Sequence, residues 1–98
     1  MLRRRGEAID HLMKARDGAM RLLAGSTGPN ARQQFVMATA KLARLYAEAR
    51  DPRASTFADR AAAEMAEHPI GPPAVAAVVR ADLERAAAIF PAMQQRAR

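Results

Sequence analysis

The chain has no cysteine. Disulfides, thiolate metal sites and cysteine nucleophiles are excluded, and the redox compartment stays open. Aromatic residues are scarce: Phe35, Tyr46, Phe57 and Phe90 are all there are. A core built mainly on large rings is therefore not expected. No apolar run approaches the roughly 18–20 residues of a membrane span. The basic start, MLRRRG, is followed by charged residues rather than an apolar stretch. It does not read as a secretory signal, and a cytoplasmic location is expected. A glycine-rich phosphate loop is also missing, because Gly25-Ser-Thr-Gly-Pro lacks a Gly-Lys-Ser/Thr and follows no strand.

What is present is alanine, 25 of 98 residues. Alanine is the best helix former and has no side-chain entropy to lose, but it buries little area. The composition therefore predicts closely approaching helices around a modest core, in a single domain over residues 1–98. Residues 31–50 carry the clearest pattern. Phe35, Ala38, Leu42, Leu45 and Ala49 fall on one helix face. Val36, Ala40, Ala43 and Ala47 form a second, smaller face roughly 100° away. A helix apolar on two sides has neighbours on two sides. The fold class expected is all-α: a compact bundle of about four largely antiparallel helices, with helix 31–50 at the centre. Lys41, Arg44 and Glu48 mark its water-facing strip.

The other helices follow from the breaks. Helix 2–24 has a broad apolar face of Leu2, Ala8, Ile9, Leu12, Met13, Ala19, Met20 and Leu23. Its polar face carries Arg3–Glu7, Asp10–Lys14 and Asp17–Arg21, opposite charges at i,i+4 worth about 0.2–0.5 kcal/mol each. Gly25 to Asn30 is a loop, with Asn30 a candidate N-cap. Asp51 as N-cap and Pro52 at the first helical position start helix 52–67. That helix offers Ala54, Phe57, Ala58, Ala61, Ala62 and Met65 to the core. The stretch from His68 to Pro73 is stiffened by Pro69, Pro72 and Pro73. Helix 73–90 then presents Val75, Val78, Val79, Leu83, Ala86, Ile89, Phe90 and Met93. Pro91 is expected to stop it, leaving a loose tail over 91–98.

Chemistry is thinly represented. Glu7/His11 and Glu64/His68 each share a helix face. Two such pairs meeting would offer oxygen and nitrogen ligands to a metal, but Glu/His at this spacing is also an ordinary surface pair. No catalytic residue, metal ligand or cofactor site is assigned, and the chain does not read as an enzyme. The net charge of +6 is spread along the chain rather than held in a tail. It favours acidic partners without choosing among them. Arg16 is a charge within an apolar face, where its stem packs and its head reaches water or an acidic partner. Met37 is an apolar side chain near a polar face, and Arg5 lies close to the apolar face of helix 2–24. These three are the candidate partner-binding residues.

Two local resemblances bear on function. Leu42, Ala43 and Tyr46, followed by Ser55, Ala62 and a late Pro69, make the segment Leu42–Ala66 similar to one tetratricopeptide-type helical hairpin. No second copy follows at an offset of about 34 residues. The resemblance implies a protein–protein interaction module. Glu64–Leu83 resembles a helix-turn-helix, with a turn one residue shorter than usual and atypical prolines. The recognition helix it implies would expose Ala74, Ala76 and Ala77, which cannot bond base edges, while Arg80 and Arg85 would reach phosphate. The function expected is a non-catalytic interaction or assembly module, joining another protein or itself as a homo-oligomer. The alternative is a basic helix-turn-helix-like or non-specific nucleic-acid-binding protein.

Overall fold

The computed structural model describes the backbone of residues 2–25 and 29–97, and the side chains of residues 6–21 and 31–91. Four helices make up the fold: α1 (Leu2–Gly25), α2 (Pro29–Glu48), α3 (Arg53–Glu67) and α4 (Pro73–Ala97). No strand occurs among the described residues. The radius of gyration is 13.5 Å.

Helix α2 is the hub and packs against α1, α3 and α4, while α3 and α4 touch only lightly. Among the described residues, α1 comes within 8 Å (Cα to Cα) of neither α3 nor α4. The two sequence seams explain this. Val36, Ala40, Ala43 and Ala47 are all buried, as are Phe35, Ala38 and Leu42 from the bulkier face. Small side chains on one flank and large ones on the other let three helices approach one.

The core divides into two layers along the bundle. Ala19, Phe35, Val36, Ala40, Ala61 and Val79 form one. Leu42, Ala43, Tyr46, Ala47, Ala54 and Ala86 form the other, with Ile9, Leu12, Met13, Ile89 and Phe90 packed on it. Rising numbers in α2 meet falling numbers in α1 and α3 but rising numbers in α4. Consecutive helices are thus antiparallel, whereas α2 and α4 run parallel side by side.

Local chemistry sets the α2–α3 turn. The Arg50 N–H donates to Ala47 O at 2.9 Å and the Asp51 N–H to Tyr46 O at 2.8 Å. That bond pair closes a helix through a left-handed residue, and here the residue is Arg50 at φ 59° rather than a glycine. α3 begins at Arg53 with Pro52 at its N-cap position, one residue later than the sequence suggests, and Asp51 supplies the capping bond from just before it, its Oδ1 accepting the Arg53 N–H at 2.9 Å.

Several expectations need correcting. Asn30 does not precede α2 as a cap but lies inside it, because Pro29 already occupies a helical position. Pro91 does not end α4, and the expected loose tail is helical through Ala97. Pro91 and Ala87 are both exposed, so the carbonyl deprived of a donor lies on the wet side of the helix. Ala62 and Val78 are exposed rather than in the core, and so is Met20. Neither Asp10–Lys14 nor Asp17–Arg21 is within ion-pair distance among the described residues; Asp17 instead lies 3.8 Å from Arg16. Arg3–Glu7, Leu2, Leu23 and Met93 involve side chains outside the described residues.

Candidate interaction surface

The expected water-facing strip of α2 is instead where α4 docks. Asp82 on α4 is 5% exposed. Its Oδ1 lies 3.0 Å from Arg44 Nη1 and its Oδ2 lies 4.0 Å from Lys41 Nζ. One turn on, Arg85 Nε lies 3.8 Å from Glu48 Oε2. A strip that looks solvated in one helix is an ion-pair seam when the partner helix carries the opposite charge. Lys41 and Arg44 keep side-chain exposures of 37% and 36%, so both cations still touch water. Asp82 Oδ2 and Arg44 Nε are buried without a hydrogen-bond partner.

On the opposite flank of α2, the scarce aromatics are interleaved with arginines. Tyr46 and Phe57 stack at 5.3 Å with an interplanar angle of 10°. The Arg16 guanidinium lies 5.4 Å from the Phe35 ring and 5.2 Å from the Phe57 ring. Arg60 covers Phe35 at 5.5 Å and Arg53 covers Tyr46 at 4.5 Å. The order is Arg60, Phe35, Arg16, Phe57, Tyr46, Arg53. A planar cation over a ring face gains about 0.5–2 kcal/mol, more as water is removed. Arg53 is fixed again by Asp51, its Nη2 lying 2.7 Å from Oδ2. That contact, with the Arg53 N–H, holds the Asp51 carboxyl below its usual range and raises the Arg53 guanidinium.

Each proposed contact residue can now be placed. Arg16 does not present a free charge on an apolar face; it bridges α1 to α2 and α3 through the two rings. Met37 does not project from the polar side but packs on the layer around Phe35 and Val79, because α4 covers that side of α2. Arg5 lies in the first turns of α1, and its side chain is outside the described residues. Arg80 and Arg85 are exposed on α4, Arg85 engaged with Glu48. Of the alanines facing the implied recognition groove, Ala76 is buried. Glu7 and His11 are exposed on the turns of α1 whose Ile9 and Leu12 join the Tyr46 layer, whereas Glu64 and His68 line a cleft with Ile70 at the other end, so the two pairs do not meet. Among the described residues no three His, Asp or Glu side chains cluster in a metal-binding arrangement. No helix there is long and apolar enough to cross a membrane.

What sequence reasoning missed is the coverage of the large apolar side chains. Phe35, Val36, Leu42, Tyr46 and Val79 are buried. Ile9, Leu12, Met13, Leu45, Ile89 and Phe90 are only half-buried. Met20 and Val78 are 43% and 45% exposed. Period-3.6 patterning marks these residues as apolar-face members but carries no information on how fully a neighbour covers them. Comparison with protein families, curated proteins and solved structures found no match for the chain.

Proposed function

We propose that the chain is a non-catalytic interaction or assembly module that joins another protein or a second copy of itself. The observation supporting this is the incomplete coverage of its apolar side chains. Among the described residues, α1 and α4 both pack on α2 without coming within 8 Å of each other, Cα to Cα. Leu45 on α2 and Ile89 on α4 are only half-buried, and Met20 on α1 and Val78 on α4 are exposed. A partner covering these side chains would gain the apolar burial that the domain itself leaves incomplete. The stacked Tyr46–Phe57 pair gives the hairpin-like segment 42–66 a packed α2–α3 interface, in keeping with an interaction module.

The nucleic-acid reading is less well supported. Arg16, Lys41, Arg44, Arg53, Arg60 and Arg85 each lie within 4.0 Å of a carboxylate. Charges spent on internal pairs do not form a continuous phosphate track. The light α3–α4 contact also gives a helix-turn-helix little of the packing that would brace a reading helix.

The test is mass in solution by light scattering, with and without a DNA duplex at low and moderate salt. Self-association or capture of a protein partner that is lost in Met20→Glu and Val78→Glu supports the proposal. A monomer that binds DNA with a steep salt dependence replaces it with the nucleic-acid reading. Both positions are exposed, so the substitutions leave the core intact.

A further inference from the structure

A second feature lies at the end of the bundle where α2 begins and α3 finishes. A cleft of about 400 Å³ is lined there by Arg32, Gln33, Val36, Glu64, Glu67, His68 and the loop from Pro69 to Pro72. That volume falls in the small-molecule range of roughly 300–1,000 Å³. Three properties define what fits. Its accessible apolar lining is the half-buried Ile70 with the exposed Pro69 and Pro72, over a floor at Val36, which at 2% exposed offers almost no free surface. Its charges are segregated by helix: a cation, Arg32, comes from α2, and carboxylates, Glu64 and Glu67, come from α3. The loop closing it carries Pro69 and Pro72, so the wall is stiff before any ligand arrives and little ordering is lost on binding.

We infer that this cleft binds a small zwitterion with an apolar body, of the class of an aliphatic amino acid. The carboxylate meets Arg32, the ammonium meets Glu64, and the side chain lies on Ile70 between Pro69 and Pro72. An anion alone is disfavoured by two carboxylates in the lining, and a cation alone by Arg32. Glu64 is the better anchor of the two acids. Its side chain is 18% exposed and already oriented by Arg60, whose Nη2 lies 3.2 Å from Oε1. Glu67 is 74% exposed, near His68 Nε2 at 4.0 Å, and serves the rim. This site is independent of the association surface, since Met20 and Val78 do not line it.

The experiment is a two-dimensional NMR titration of the isotope-labelled chain with L-leucine, and separately with isopentylamine and isovalerate. Leucine is expected to shift the amides around Arg32–Val36 and Glu64–Gly71 saturably, and to bind roughly tenfold or more tighter than either fragment. In Arg32→Gln, leucine should bind no better than isopentylamine. Arg32 makes no ion pair among the described residues, so this variant folds as the parent does. In Glu64→Gln, leucine should fall to the level of isovalerate. Absence of saturable shifts, shifts centred elsewhere, or equal binding of leucine and a fragment overturns the inference. None of these outcomes bears on association measured by light scattering, so the two proposals fail separately.

Discussion

At the scale of single residues, three side chains concentrate the physical tension in the molecule. Arg50 holds a left-handed conformation that a β-carbon disfavours, partly offset by its Nη1 donating to Ala47 O at 3.3 Å. Arg50→Gly should stabilise the fold by up to about 1 kcal/mol, measured as a rise in urea midpoint at unchanged slope. Asp82 is buried against two cations that remain a third exposed. Asp82→Ala should cost about 1–3 kcal/mol, less than a sealed pair, because Arg44 and Lys41 can rehydrate. A double-mutant cycle with Arg44→Ala showing no coupling would contradict that assignment. Asp51 is the third. Its folded carboxyl sits below the ordinary 3.8, so the cap contributes fully above that pH and is lost as the pH falls through the lower folded value. The stability gap between the parent and Asp51→Ala should narrow on acidification from neutrality; a gap independent of pH would refute it. Asp51 and Pro52 were legible as a helix start because capping is local chemistry. The roles of Arg16 and Asp82 were not, because both depend on which helix lies opposite.

Among the helices, α4 departs most from its sequence pattern. Pro91 reads as a stop, yet α4 continues to Ala97. Proline in a helix interior costs up to about 3 kcal/mol, an amount that packing along the rest of the helix can outweigh. Ile89 and Phe90 on the preceding turn pack on the Tyr46 layer and hold the chain in register. Pro91→Ala should therefore stabilise the fold, by about 1–3 kcal/mol, read from denaturant unfolding. An unchanged midpoint would mean that α4 already breaks there in solution. The polar strip of α2 teaches the complementary lesson. Lys41, Arg44 and Glu48 were visible as a charged stripe, and period alone assigned them to water. Asp82 and Arg85, on another helix, turn the stripe into an interface.

Across the whole molecule, alanine permits the arrangement and aromatics fasten one side of it. Four helices pack with only five large apolar side chains buried among the described residues, namely Phe35, Val36, Leu42, Tyr46 and Val79. Arg16 reaches across to Phe57 from α1, which among the described residues comes no nearer to α3 than 8 Å between Cα atoms. Arg16→Ala should destabilise by about 1–2 kcal/mol, and Arg16→Lys should recover only part of it, since the ammonium lacks the planar face that stacks on two rings. Thermal unfolding of both variants checks the order, and full recovery by lysine would reduce the contact to simple charge. The sequence by itself determined the helical class, the central position of α2, the two-faced seam and the turn chemistry at Asp51. All of these follow from periodicity and from contacts a few residues apart. Only the tertiary structure decided that α2 and α4 lie parallel as neighbours, that α2 takes all three other helices on its flanks, and that Arg32 and Glu64 share a cleft. These depend on pairing residues distant in the chain, where the choice is made by complementary charge and shape between helices. No pattern within a single helix records that choice.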